Sequence, residues 1–503
     1  MNQRPAGISL CMIVKDEERF LADALRSVAD AVDEICVVDT GSRDGTLEIA
    51  RSFGARVATL AWSDDFSAAR NAALDLATRR WIFVLDADER LVPESRLALR
   101  AVGSSPARLR GCWIACRNLT DDFKGSGAMT NAIVRLFPND PRIRYRNPIH
   151  EYITLDGSEA GLPSDRAPIE IVHHGYLAAV VKERSKADRN LRLAEAAVAA
   201  TPDDAFANYN LGMSRLFAQD RDGALDALER TRALTQTAPR AFRVNALVVL
   251  ADLYAQHRHD LDRAEAIVGE AIAIAPNYSN AHFTHGRILA LQGNRFAARD
   301  AFGRAIAAGK HDRDQFVVDD EIAIWKAPNE IGATLMHEGR HREALPWFEL
   351  AGQARPRAVA LLANRARCHE VLGELDRAEA LFAAAARCGT DEPSAIEWVN
   401  FCLRARSTDV AVAAIEACLP VLGAGYRTAF LATAAAARLR EGRTDAASAL
   451  VERAVAASDT ADEGRAIVVA LAKKLGELGI VSFLAPVPGT GATGLRIAYL
   501  PTI

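Results

Sequence analysis

Apolar and polar positions alternate in two different rhythms along the chain, and the change falls near Val180. Before it, short apolar runs are each followed by a stripe at helical spacing. Ile8 to Val14 is almost continuously apolar, as expected of a strand covered on both faces. Lys15-Asp16-Glu17-Glu18 then opens a helix, its acids suited to the positive end, with Phe20, Leu21, Ala24, Leu25 and Val28 as the apolar stripe. A second strand, Glu34 to Val38, leads through the loop Asp39 to Thr46 into a helix from Leu47 to Phe53. A third strand covers Ala55 to Leu60. Asp64-Asp65-Phe66-Ser67 caps a helix from Ala68 to Thr78, and the next strand, through Ile82-Phe83-Val84-Leu85, ends at Asp86. Strand and helix alternate throughout, which argues a parallel sheet with right-handed crossovers. Gly111 to Asn118 and Asn131 to Phe137 read as further strands. Between them Asp121 to Thr130, with Lys124-Gly125-Ser126-Gly127, reads as a mobile loop able to cover a ligand.

After Val180 the strand-type runs stop and apolar residues recur at the helical period. A connecting helix runs to about Ala200, and a longer period follows it. Ala264 and Ala298 are one 34-residue repeat apart, as are Ala344 and Ala378; Ala446 lies two periods further, with Val412 between. Leu211-Gly212, His285-Gly286 and Ile331-Gly332 precede the marker alanines, while Phe302, Phe348 and Phe382 follow them by four. That is the tetratricopeptide pattern, in which each helix pair buries its apolar face on its neighbours. The reading places a first domain at 1–178, a connecting helix at 179–203, about seven helix pairs at 204–457, and a capping helix with a Pro/Gly-containing tail at 458–503.

Candidate chemistry lies at the carboxyl ends of the strands. Asp86 and Asp88, spaced i and i+2, would share one side of a strand end, where open α/β sheets bind ligands. Two neighbouring carboxylates repel, and a hard divalent cation with phosphate ligands resolves that repulsion. Lys15 to Glu18 and Asp39 end the first two strands in the same way, and Arg70-Asn71 lies on an intervening helix. An acidic rim with a cation suits a nucleoside diphosphate. Gly41-x-x-x-Gly45 matches neither a dinucleotide fingerprint nor a P-loop.

Composition narrows the classes. A chain of 503 residues implies several domains, and a net charge of −4 leaves no basic footprint for nucleic acid. No apolar run reaches the length of a membrane-spanning helix, and Met1 to Gly7 hold no signal-peptide core. Eight scattered cysteines, none in a C-x-x-C pair, point to free thiols in the cytoplasm.

Met12-Ile13-Val14-Lys15-Asp16-Glu17-Glu18, Val38-Asp39-Thr40-Gly41-Ser42, Ala69-Arg70-Asn71 and Leu85-Asp86-Ala87-Asp88-Glu89, in this order and spacing, resemble the family 2 glycosyltransferases. The resemblance covers roughly residues 8–175. It implies an inverting enzyme of the GT-A fold, a Rossmann-like mixed sheet with helices on both faces, here followed by a tetratricopeptide solenoid. It further implies a nucleotide-sugar donor, usually of uridine, held by Val14, Glu17, Asp39, Arg70 and Asp86, with Asp39 on the base and Asp86 on the ribose. Asp88 would hold the divalent metal, Mn²⁺ or Mg²⁺, that bridges the diphosphate. Many members carry Asn-Glu where this chain has Asp16-Glu17.

His150-Glu151 and His173-His174-Gly175-Tyr176 are similar to segments of a family 2 subgroup that carries helical repeats. Direct displacement needs a base for the acceptor, for which Glu151 is the candidate and His150 the alternative. His174, or its neighbour His173, is the candidate to complete the metal site. The repeats are expected either to present a peptide or protein acceptor, as in subgroup members that modify peptides, or to stiffen or pair the enzyme. Oligomeric state, sugar and acceptor atom stay open. The competing readings are a non-enzymatic repeat scaffold and the same enzyme acting on a glycan or lipid-linked acceptor.

Overall fold

The computed structural model describes residues 4–122, 125–158, 161–176, 184–236, 241–309, 318–389, 391–457, 482–486 and 495–499. The chain divides into two compact units, Met1–Glu330 and Ile331–Ile503.

The first unit is built on a mixed sheet. In chain order its elements are β1 (Ile8–Val14), α1 (Leu21–Val28), β2 (Glu34–Asp39), α2 (Thr46–Ser52), β3 (Arg56–Thr59), α3 (Phe66–Leu76), β4 (Trp81–Val84) and β5 (Glu89–Leu91). They continue as α4 (Arg96–Ser104), β6 (Gly111–Asp122), β7 (Gly125–Pro138), β8 (Ile143–Arg146), β9 (Tyr152–Leu155) and β10 (Ser164–Tyr176). The strand order is β3-β2-β1-β4-β7-β6-β10-β5. The first four strands are parallel, whereas β4–β7 and β6–β7 run antiparallel. Both faces of the sheet are buried. Ile8, Leu10, Met12 and Phe83 pack with Leu21, Leu25 and Val28 of α1 on one face. Cys11, Val38, Ile82 and Val84 pack with Ala73 and Leu74 of α3 on the other. A strand covered twice is apolar at nearly every position, which is why β1 and β4 show no alternation; the hydroxyl of Ser9, the polar residue in β1, is satisfied by donating to Glu34.

Three expectations change. The first helix begins at Leu21, not at Lys15. Asp16 takes a left-handed backbone with φ 56°, and its carboxylate accepts from the Arg43 amide while Glu18 accepts from the Gly45 amide. These acids bind the neighbouring loop instead of opening a helix. The fourth strand stops at Val84, so Asp86 and Asp88 lie on a turn and not on strand positions. The Asp86 amide donates to Glu89 Oε2 and the Glu89 amide to the Asp86 carbonyl, which closes that turn. Finally, Asp121 to Thr130 is mostly strand: β6 and β7 pair as far as Asp122 with Gly125, because cross-strand hydrogen bonding outweighs the weak strand propensity of glycine and serine. Lys124 lies outside the described residues, as do Val180 to Glu183 at the start of the expected connecting helix.

That helix, Arg184–Ala200, leads into three helix pairs of the first unit: Ala205–Phe217 with Arg221–Leu234, Ala241–Leu253 with Leu261–Ile274, and Ser279–Leu291 with Arg295–Ala308. A two-residue strand, β11 (Val318–Asp319), returns to pair antiparallel with Met129 and Thr130 of β7. The second unit opens within the helix Ala327–His337, which pairs with His341–Ala354. Val359–Val371 with Leu375–Gly389, Glu392–Ala405 with Thr408–Cys418, and Ala424–Arg440 with Thr444–Ala456 follow.

The repeat glycines are contact points. A Cβ on Gly286 would lie 2.5 Å from the Phe302 ring, and one on Gly332 would lie 2.7 Å from that of Phe348. Both rings are fully buried. In the last two pairs the buried small residues are Ala411 and Ala447, not Val412 and Ala446. The repeat length drifts there by one or two residues, since each pair packs on its neighbours and not on a fixed frame. In the tail, expected as an extended segment, Ser482–Pro486 and Leu495–Tyr499 pair as an antiparallel ladder.

Candidate active site

The site gathers at the carboxyl ends of β1, β2 and β4. Val14 is buried at the end of β1, and its carbonyl accepts from the Thr40 amide and hydroxyl. The Glu17 amide donates to Thr46 Oγ1 at 2.7 Å, fastening the β1 end to the start of α2. Asp39, buried at the end of β2, accepts from the Gly41 amide at 3.1 Å and from the amide and hydroxyl of Ser42. Its carboxylate therefore shapes the glycine-containing loop, and Gly41 adopts φ 110°, open to residues without a Cβ.

Arg70 comes from the second turn of α3, which Asp65 caps by accepting from the Ala68 amide. Its guanidinium binds Asp86 through two N–H groups, at 3.0 and 3.3 Å, and Glu151 through Nε at 2.5 Å. Tyr145 lies under the same guanidinium, 5.5 Å from ring centre to carbon. Asn71 exchanges two hydrogen bonds with the Tyr145 backbone, and the Phe66 amide donates to the Pro148 carbonyl. These contacts seat the β8–β9 connection, and with it Glu151, against α3. His150, with φ 52°, stands beside Glu151, and burial lowers its pKa despite the Glu151 charge.

Arg135 of β7, which sequence reading passed over, donates to Asp86 Oδ2 at 2.7 Å and to Glu89 Oε1 at 2.8 Å. It lies in an ordinary strand run, and only the β4–β7 pairing brings it to the turn. Burial by itself would raise the Asp86 carboxyl, but Arg135 and Arg70 outweigh it and hold Asp86 well below the usual carboxylate range. Glu89, enclosed more deeply, is pushed up by burial and by the nearby Asp86 charge despite Arg135. Burial also pushes the Tyr145 phenol up to about 12.

Asp88 sits apart from this clasp. Its carboxylate lies 3.3 Å from Nε2 of His173. His174, the imidazole named from sequence for this position, meets Asp88 through its backbone, its amide donating to the Asp88 carbonyl at 2.9 Å. Neighbours on a strand point to opposite sides, so one of the two rings faces Asp88, and it is that of His173. Burial lowers the basicity of His173, but the Asp88 hydrogen bond and charge more than restore it, raising its pKa. Burial and the Arg90 charge lower that of His174.

Asp88 and His173 fit a hard cation that keeps most of its coordination for phosphate and water. Two donor atoms 3.3 Å apart match neighbouring positions around such an ion, where ligands at about 2.1 Å meet at right angles roughly 3 Å apart. Among the described residues no group of three or more acidic, histidine or cysteine side chains is placed to hold a metal ion.

Residues 9–99 match the model of glycosyl transferase family 2, and residues 335–396 that of the tetratricopeptide repeat. The chain is 38% identical over 268 residues to a TPR repeat-containing protein of Synechococcus elongatus, covering 52% of this chain and 64% of that one. It is 24% identical over 259 residues to the SPbeta prophage-derived glycosyltransferase SunS of Bacillus subtilis, covering 51% of this chain and 60% of that one. Against an uncharacterized glycosyltransferase of Rickettsia typhi the identity is 37% over 87 residues, 17% of this chain and 30% of that one. The matched regions thus span less than two thirds of each relative. No helix among the described residues is long and apolar enough to cross a membrane.

Proposed function

Because the chain joins a family 2 glycosyltransferase domain to tetratricopeptide repeats, we propose that it is an inverting transferase acting from a nucleotide-sugar donor on a peptide or protein acceptor. The observation that carries this reading is the convergence on one rim of Asp39, Arg70, Asp86, Asp88 and Glu151, from four separate elements or turns. In this reading Asp39 and the Val14–Glu17 strand end face the base, and Asp86 faces the ribose. Asp88 and His173 would hold a divalent cation, which would supply positive charge to offset that of the departing nucleoside diphosphate.

Glu151 is the base. Its Oε1 receives Arg70, which orients the carboxylate and leaves Oε2 to take the acceptor's proton. As the acceptor atom bonds to the anomeric carbon, the bond from that carbon to the diphosphate oxygen breaks on the opposite side. The electron pair leaves with the diphosphate and the proton rests on Glu151. Arg70 and Arg135 keep positive charge at the rim where that anion departs.

The acceptor assignment is supported by where the repeats start. Tyr152, next to Glu151, meets Phe206 of the first repeat helix edge-on at 6.0 Å, and Phe242 of the second pair lies 5.2 Å beyond Phe206. A partly exposed aromatic path thus runs from the base to the first repeats, suited to a polypeptide segment. The free thiols favour a cytoplasmic setting.

The test is calorimetric titration of uridine, guanosine, adenosine and cytidine diphosphates with and without Mn²⁺, on the wild type and Asp88→Asn. Metal-dependent binding of one nucleotide, lost in the variant, supports the reading. Absence of binding by every nucleotide at millimolar concentration would count against it.

A further inference from the structure

We propose that Asn118 is a positioning residue for the cation side of this site: it fixes which nitrogen of His173 faces Asp88. The proposal rests on the assignment of Asp88 and His173 as cation ligands given above. Asn118 stands directly across from His173 in the β6–β10 register. Its Oδ1 lies 2.8 Å from His173 Nδ1. The orientation of the amide is settled by its other end, because Nδ2 donates to Asn131 Oδ1 at 2.7 Å and approaches the Cys116 carbonyl at 3.5 Å. A carbonyl can only accept, so the NH₂ group is on that side and the oxygen is on the His173 side.

An accepting oxygen against Nδ1 requires a proton on Nδ1. In the neutral ring that leaves the lone pair on Nε2, the atom 3.3 Å from Asp88 Oδ2. A lone pair facing a carboxylate oxygen is unfavourable until a positive species lies between them. Asn118 thereby prepares a pair of donor atoms for a cation, and Asn131 on β7 holds Asn118 in turn. Sequence reading gave neither asparagine a role, because the register that aligns them with His173 exists only once β6, β7 and β10 are paired.

Two measurements test this. In metal-free protein labelled with ¹⁵N-histidine at pH 8.5, the His173 signals, assigned by their loss in His173→Gln, should report Nδ1–H in the wild type and a mixture of tautomers in Asn118→Leu. Mn²⁺ affinity in the presence of the bound nucleoside diphosphate, read by electron paramagnetic resonance, should fall about 10- to 100-fold in Asn118→Leu, the usual cost of removing such a partner. Asn118→Asp, which keeps the accepting oxygen, should restore it. An Nε2–H tautomer in the wild type, or equal Mn²⁺ affinity in wild type and Asn118→Leu, would overturn the role of Asn118 alone. A wild type that binds the nucleotide but no Mn²⁺ would instead overturn the cation assignment and this proposal with it.

Discussion

Arg70 bridges Asp86 and Glu151: its two terminal N–H groups hold the first carboxylate at 3.0 and 3.3 Å, while Nε holds the second at 2.5 Å. One guanidinium therefore connects the turn after β4 to the loop before β9, two segments 65 residues apart in the chain. A lysine cannot reproduce this, since its ammonium lacks the planar fork. Arg70→Lys is expected to keep the fold and lower kcat/KM by about 100-fold, the usual scale for a misplaced charge in a preorganised site. Arg70→Met leaves Glu151 without its counter-ion and Asp86 with Arg135 alone, and is expected to cost about 3 kcal/mol. Urea unfolding of both variants beside their steady-state rates checks this.

The two adjacent histidines should separate cleanly. His173 presents its ring to Asp88 whereas His174 presents its backbone. His173→Ala is expected to weaken Mn²⁺-dependent nucleotide binding by more than about 10-fold, and His174→Ala to leave it within about twofold. Calorimetry on the two variants under one buffer decides it; the reverse pattern would return the metal role to His174.

Glu34 supplies a pH signature away from the site. Burial opposes its ionisation, but hydrogen bonds from Ser9, the Thr78 amide and hydroxyl, and Arg56 prevail and lower its pKa from 4.5 to about 2. A carboxyl depressed in the folded state contributes stability that is complete above its unfolded pKa and is lost as pH falls through the folded value. The wild type should therefore lose stability between pH 4.5 and 2 through this group. The difference in unfolding free energy between wild type and Glu34→Gln, positive at pH 6, should shrink across that window. A difference that stays constant would exclude the effect.

Repeat glycines should divide into two kinds. Gly286→Ala drives a methyl group into the Phe302 ring, and Gly332→Ala does the same at Phe348; each is expected to destabilise its unit by about 1–3 kcal/mol, as overpacking does. Gly269 lies within the helix Leu261–Ile274, where a Cβ would have nothing within 4 Å of it. Gly269→Ala is expected to stabilise by about 0.5–1 kcal/mol through helix propensity. Thermal melts of the three variants test the contrast.

Much of this protein was legible from one-dimensional pattern. The nearly continuous apolar runs of β1 and β4 signalled strands buried on both faces, and Phe302, Phe348 and Phe382, each four residues after a marker alanine, signalled helix pairs, because both patterns reflect burial local to one element. The acidic strand ends and Arg70 were legible for the same reason: each sits a fixed number of residues from the run that positions it. Where local hydrogen bonding competed, the sequence misled. The acids at 16–18 bind the loop across from them instead of opening a helix, and the turn at 86–89 closes on itself.

The sequence by itself thus determined the two architectures, their order, and which carboxylates stand at the rim. Tertiary structure alone decided the partners of those carboxylates. Arg135 reaches Asp86 because β7 pairs antiparallel with β4, and His173 rather than His174 faces Asp88 because β10 aligns with β5 and β6 in one register of two. Shifting that register by one residue would exchange the two rings. Periodicity shows that a strand exists, but the choice between its faces belongs to the neighbour it pairs with.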